Sequence, residues 1–439
     1  APTGARYDEE GHVSGPLEGV RVLEFTQIIA GPFGCQHIAD MGADVVKVEP
    51  PTGEPWRLYA QFVPLESKTY QALNRGKRSL AIDLASTDGQ RVIHRMVERM
   101  DVVVINYRPD VAKRLHIDYE TLRAIRPDLI YVDSTAFGRR GPWANKPGYD
   151  IVAQGVSGLT ASGARFDERG VPMLPSIGVP TADITTGYAI AMGVCAALFY
   201  RSQTGKGQLV QTSLLANSLA SQGGSFMSLP PADGGLRTPF LAFLDDAHAR
   251  GAGYTEIVER RRALQQGRMS GNIYYRNYLT KDGAVAVGCL SASLRSKMRA
   301  ALGIEGDPRD DDPHYDPTAP DTIAWGEALI ERVEAMFLER SSAEWVAHLE
   351  AAGVPAGEIL FTEELDRHEQ ILANDYVIAL DHEITGPQTM VAPVLQMSES
   401  PPRPERASPP LGAHSDEVLR EAGIADEEIA RLRAAGTIR

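Results

Sequence analysis

Val20-Arg-Val-Leu-Glu-Phe25 opens the stretch whose reading decides the fold. This short apolar strand runs into the loop Thr26–Pro32 and then into a helical pattern over Gly34–Met41, which Gly42 stops. A second apolar strand follows at once, Asp44-Val-Val-Lys-Val-Glu49. Strands that alternate with helices and read as nearly continuous apolar runs predict a mostly parallel sheet covered on both faces. The same alternation continues outward. Ser79–Leu84 reads as a strand, and Thr87-x-x-Gln90 reads as a capping box that starts a helix with Val92, Ile93, Met96 and Val97 on one face. Asp101–Asn106 and Leu129–Ala136 are further strands. The fold class is therefore α/β.

Beyond this region a helix over Ile184–Gln203, closed by Gly205, is apolar nearly all round and reads as buried. The character then changes. Gly223–Ser270 mixes glycine, proline and charged helix, Tyr274–Gly288 reads as a hairpin turning at Lys281-Asp282-Gly283, and helical patterns cover Ser291–Leu302 and Ile323–Glu339. Asp416–Gly423 and Asp426–Gly436 read as two bounded surface helices. A length of 439 residues exceeds what one core usually serves, so two domains are expected.

A net charge of −14 excludes broad nucleic-acid binding, because phosphate contacts require a basic surface. The three cysteines, Cys35, Cys195 and Cys289, form no CxxC pair and no zinc-ligand spacing, so no metal is expected. The polar stretch Ala1–Gly15 has no secretory or transit character, and no uninterrupted apolar run approaches the ~20 residues of a membrane span. A cytoplasmic protein without membrane attachment is the expectation.

Ligands of a doubly wound sheet bind beyond the carboxyl ends of its strands, here the loops Thr26–Pro32, Asn106–Pro109 and Thr135–Pro142. No GxGxxG follows the first strand, which speaks against a nicotinamide-dependent oxidoreductase. Ala30-Gly31-Pro32 reads either as a site of close backbone approach or as a plain tight turn. Arg75, Lys77 and Arg78 cluster around Gly76 and read equally as a phosphate cradle or a solvated turn. Two carboxylates stand out. Asp150 lies in Pro147-Gly-Tyr-Asp150, and Asp183 lies just before the long apolar helix, where it is either an N-cap or a reactive group at a helix terminus.

Taken together, Gly19-Val-Arg-Val-Leu-Glu-Phe25 with Ala30-Gly31-Pro32, Met41-Gly-Ala-Asp-Val-Val-Lys-Val-Glu49, Asn74-Arg-Gly-Lys-Arg-Ser79 and Asn106-Tyr107-Arg108-Pro109 form an ordered series. Pro147-Gly-Tyr-Asp150, Ala182-Asp183, Thr204-Gly-Lys-Gly-Gln208 and Leu411-Gly-Ala-His-Ser-Asp-Glu417 complete it. The series resembles the class III CoA-transferases, the group of formyl-CoA transferase, carnitine CoA-transferase and α-methylacyl-CoA racemase, over almost the whole chain. The resemblance implies that Asp183, at its fixed distance before Thr204, is a nucleophile that forms an aspartyl anhydride and then an aspartyl-CoA thioester, with Asp150 as a second catalytic acid. Asn106, Tyr107 and Arg114 match CoA-contacting positions. The full expected set for CoA is Gln27, Ile28, Ala30, Arg75, Lys77, Arg78, Asn106, Tyr107, Arg108, Arg114 and Tyr149, with backbone N–H groups around Ala30, Gly31 and Asp183 serving oxyanions.

The resemblance further implies a Rossmann-like large domain over residues 1–222, a linker over 223–265, a small inserted domain over 266–345, and a linker with a carboxyl-terminal return to the large domain over 346–439. It also implies an interlocked homodimer, acyl-CoA and a carboxylic acid as substrates, and no tightly bound cofactor. Three departures bear on substrate. Ile29 stands where formyl-specific members have glutamine, Gly267-Arg-Met-Ser-Gly271 replaces a run of glycines, and Tyr149 replaces the histidine of racemases. A 2-methylacyl-CoA racemase with Asp150 as a base is the first alternative, and a catalytically silent CoA-binding protein the second.

Overall fold

The computed structural model describes residues 15–162, 171–173, 179–269, 272–317 and 319–439. The amino-terminal stretch up to residue 14, Gly178, and the Ser270-Gly271 end of the departing glycine segment lie outside the described residues. The chain divides into two compact units, residues 1–227 with 369–439, and residues 228–368. The expected boundaries shift accordingly. Most of the stretch read as a linker belongs to the second unit, which also extends past residue 345 because the strand Ala356–Glu358 completes its sheet.

The first unit is built on six parallel strands, β1 (Arg21–Phe25), β2 (Asp44–Glu49), β3 (Arg78–Ala81), β4 (Val102–Ile105), β5 (Ile130–Thr135) and β6 (Leu209–Ser213), in the order β3-β2-β1-β4-β5-β6. Side-chain alternation sends Val22, Val45, Val102, Val104, Ile130 and Val132 to one face, where they meet α1 (Ala30–Asp40) and the long helix Thr181–Thr204. Leu23, Phe25, Val46, Leu80, Val103, Ile105 and Tyr131 face the other side. There they pack with the helix Thr87–Val97 and with Val418, Leu419, Ile429 and Leu432 of the last two helices. Those helices, read from sequence as surface elements, thus bury one face each and cover a sheet that would otherwise be open to water. The return of the chain to its first unit is a requirement of that core.

Two local expectations are corrected. The helix Thr87–Val97 is capped by Ser86, whose hydroxyl accepts the Gly89 N–H at 3.0 Å, while the Gln90 amide bonds to the Leu84 carbonyl instead of closing a box. The long helix is buried on one side only. Its inner face carries Ala182, Asp183, Thr186, Gly187, Ile190 and Val194, but Met192 and Phe199 on the outer face are 69% and 70% exposed. By length and composition this helix is also apolar enough to cross a bilayer, although Asp183, Thr185, Thr186 and Arg201 interrupt its apolar run. Packing of its inner face on the sheet and α1 accounts for part of that composition.

The second unit carries an antiparallel sheet of the strands Tyr275–Leu279, Ala284–Gly288 and Ala356–Glu358. Its core stacks Tyr278 on Phe337 and Phe337 on Trp345, with ring centroids 4.1 and 4.4 Å apart.

Candidate active site

The strand order reverses direction beside β1, whose neighbours β2 and β4 lead the chain away on opposite sides. A crevice opens at such a switch point, beyond the carboxyl ends of the two central strands. Here it is a cavity of about 400 Å³. Gln27, Ile28, Ile29 and Ala30 line it after β1, Asn106, Tyr107 and Arg108 after β4, and Ser134, Thr135 and Ala136 at the end of β5. Pro147, Gly148, Tyr149, Leu214 and the side chain-bearing turn at Asp183 close it.

Asp183 is 8% exposed and stands in the first turn of the long helix. It is not the N-cap; Pro180 holds that position and supplies no side-chain cap. The capping role falls to Asp150, whose Oδ1 accepts the N–H groups of Ala182 at 2.8 Å and Asp183 at 3.1 Å, while its Oδ2 accepts the Gln154 amide at 2.5 Å. Asp150 therefore occupies the donors that a helix start leaves open, and it does not line the cavity. The expectation that the Asp183 N–H serves an oxyanion is corrected for this reason. Burial, then the charge of Asp150, raise the Asp183 carboxyl to about 7, against a lowering by the Ala30 N–H. Among the described residues no lysine or arginine pairs with it.

Ala30 and Asp183 wall the same cavity, and α1 meets the long helix there at glycines. A Cβ on Gly187, one turn past Asp183, would stand 2.6 Å from the Phe33 ring, and one on Gly34 would stand 2.8 Å from the Gly187 carbonyl. The loop before α1 is clamped residue by residue. Asn106 takes the Gln27 N–H on its amide oxygen at 3.0 Å and donates to the Gln27 carbonyl at 2.9 Å. Ile28 adopts φ 71°, a left-handed conformation that costs a β-branched residue about 1–3 kcal/mol. Its N–H donates to buried Glu54 at 2.7 Å. Asn106, one of the residues expected to contact CoA, thus also braces the wall of the cavity.

Of the remaining expected residues, Tyr107 lines the cavity with its phenol raised to about 12 by burial. Arg108 and Tyr149 stand exposed on its rim, Arg108 within 3.2 Å of Asp110. Arg114 is exposed in the last turn of the helix Pro109–Arg114, outside the lining, and has no carboxylate partner among the described residues. The basic cluster is corrected. Arg75 is buried in a two-pronged pair with Asp40, at 2.9 and 2.7 Å, and Lys77 is buried against Glu24 at 2.9 Å. Arg78 holds Asp44 at 2.6 Å, Glu417 at 2.7 Å and Glu421 at 2.8 Å. Cations taken out of water need partners, and this acidic chain supplies them internally, so none of the three lines the cavity.

Sequence reasoning missed Glu54, Lys47, Gly187 and Leu214. One signal was available for Lys47. Glu24 and Lys47 interrupt the apolar runs of β1 and β2, and they are register partners 3.3 Å apart. Charges inside such strands must meet one another. Among the described residues no group of three or more His, Cys, Asp or Glu is placed to hold a metal ion.

A parallel sheet of this order, with an unpaired buried carboxylate at its switch point, defines an α/β enzyme whose cavity is built around an acid. The chain belongs to CoA-transferase family III, whose model matches residues 17–415, and it is an enzyme of that class. It is 32% identical over 419 residues to the succinate–glutarate CoA-transferase of Agrobacterium fabrum, covering 92% of this chain and 95% of that protein. It is 30% identical to the human succinyl-CoA:glutarate CoA-transferase, covering 96% and 90%. A crystal structure of a CAIB/BAIF family protein from Brucella suis superposes with TM-score 0.70 at 26% identity, covering 93% of this chain and 100% of that one.

Proposed function

We propose that the protein moves CoA from an acyl-CoA donor to an acceptor carboxylic acid, with Asp183 as the covalent carrier. The observation that carries this reading is a carboxylate at the cavity wall, buried without a cation and raised to about 7. A carboxylate of raised pKa is a stronger nucleophile once ionised, and covalent catalysis splits one hard exchange into easier steps. An Asp183 oxygen attacks the thioester carbon, the carbon–sulfur bond breaks, and CoA leaves as thiolate from a mixed anhydride. The thiolate then attacks the Asp183 carbonyl carbon, releases the donor acid as its carboxylate and leaves an aspartyl-CoA thioester. An acceptor carboxylate attacks that carbon and displaces the thiolate, which takes the acceptor acyl group and returns Asp183 to its carboxylate. No net proton is consumed.

The lowering of the Asp183 carboxyl by the Ala30 N–H supports a role for that donor in holding negative charge on the reacting carboxyl. Asp150 acts by position, fixing the helix start under Asp183, rather than as a proton carrier. With the Arg75 loop spent on internal pairs, the CoA phosphates fall to the exposed cations Arg108 and Arg114. Ile29 on the cavity wall disfavours a formyl and oxalate pair and suits larger acids such as those in the names of the relatives. The uncovered side chains Met192 and Phe199 support a homodimer.

The test offers a panel of acyl-CoAs, succinyl-CoA among them, with a panel of acids in D₂O. New acyl-CoA products without deuterium uptake at the donor's α-carbon are expected. Deuterium uptake without any CoA transfer would instead establish a racemase.

A further inference from the structure

Glu54 touches neither the cavity nor Asp183, yet it governs the loop between them. Its Oε2 accepts the Ile28 N–H at 2.7 Å, and its Oε1 lies 3.1 Å from the Lys47 ammonium. Lys47 in turn donates to the Thr26 carbonyl at 2.9 Å. One buried pair therefore grips the loop at Thr26 and Ile28, with Asn106 gripping Gln27 between them. The next residue, Ile29, starts α1 without any side-chain cap; its carbonyl accepts the Phe33 N–H at 2.8 Å. The start of α1, and with it the Ala30 side of the cavity, is thus set by the loop. Ile28 at φ 71° is where that loop would relax, since an isoleucine released from its acceptor returns to negative φ. The peptide planes that follow would turn with it.

We propose that Glu54 is a positioning residue for the reaction at Asp183: by holding the Ile28 N–H it keeps Ile28 left-handed and so fixes the wall of Gln27, Ile28, Ile29 and Ala30 that shares the cavity with the reacting carboxylate. The inference rests on the reading of Asp183 as the acyl carrier. The groups that face Glu54 are Lys47 and Glu49 from β2 and the Ile28 N–H; those that face Asp183 are Asp150 and the Ala30 N–H.

The test compares Glu54→Ala, which removes the acceptor, with Glu54→Gln, which keeps an acceptor oxygen at the same reach, and with Ile28→Gly added to Glu54→Ala. Glycine takes positive φ without strain. Glu54→Ala should lower kcat about 30-fold with KM for acyl-CoA within about threefold, because a displaced wall beside the reacting carboxylate costs turnover more than binding. Glu54→Gln should stay within about fivefold of the native enzyme, and Ile28→Gly should restore about tenfold to Glu54→Ala. If Glu54→Ala does not accumulate as folded protein, Glu54→Leu fills the same space without an acceptor and must show the same loss. Native kcat in the alanine or leucine variant overturns the proposal, as does an equal loss in the glutamine variant without recovery by glycine. Asp183→Asn measured in parallel separates the two levels. Full transfer there removes the acyl-carrier reading, whereas an inactive Asp183→Asn beside an unaffected Glu54→Ala removes only the role of Glu54.

Discussion

Two acidic regions are buried at the carboxyl end of the same sheet, and they are built on opposite rules. Behind the loop after β1, Glu24, Glu49, Glu54 and Glu66 are packed with Lys47, Arg57 and Lys77. Across that loop, Asp183 is buried with Asp150 nearby and no cation. Burial pushes Glu49 up, but the Arg57 guanidinium, 2.8 Å away, together with Lys47 and the Glu54 N–H, outweighs it and leaves the carboxyl below its usual range. Burial pushes Asp183 up too, and there nothing but the Ala30 N–H opposes it. Depth alone therefore does not distinguish structure from chemistry. The partner does: a paired acid is part of the scaffold, and an unpaired one keeps the reactivity that pairing would remove.

The contrast breaks first in activity. Asp183→Asn should lower CoA transfer about 10⁴-fold with the fold retained, measured as acyl exchange between two acids. In the paired region the expected loss is one of stability. Arg57→Ala leaves buried Glu49 without its guanidinium and should cost about 3–5 kcal/mol in denaturant unfolding. Gly187→Val forces α1 away from the long helix, which should cost about 1–3 kcal/mol and, through displacement of Ala30, about 10²-fold in kcat.

Glu49 and Asp183 should also respond to pH with opposite sign. Glu49, held low, contributes stability above the ordinary carboxylate range that is lost as pH falls. Asp183, held high, contributes most below that range, and its contribution is lost as pH rises through about 7. Asp183→Asn should therefore be more stable than the native protein at pH 8, by roughly 2–4 kcal/mol, with the gap closing towards pH 4. A native protein more stable than Asp183→Asn at pH 8 would place a cation at the site. The smallest effect concerns the rim. Arg114→Ala should raise KM for acyl-CoA by about fivefold at low salt, and less in high salt, as one exposed ion contact does.

How much of this could be read from the chain follows the same division. The strands and α1 were legible because apolar runs between glycine stops admit few other readings. The position of Asp183 was legible as a helix terminus, but its capping partner was not, since Asp150 acts over 33 residues of sequence. The Arg75, Lys77 and Arg78 cluster misled because local composition does not reveal partners such as Glu417 and Glu421, which the returning carboxyl terminus supplies. Strain at Ile28 had no signal at all, isoleucine being the last residue that composition would place at positive φ.

The most direct test is the mass of the protein after brief incubation with a donor acyl-CoA, quenched with hydroxylamine or borohydride and mapped by peptide. Modification confined to the peptide that holds Asp183, and absent from Asp183→Asn, is the predicted result. Transfer at full rate with that peptide unmodified, or an adduct on any other side chain, would contradict the account.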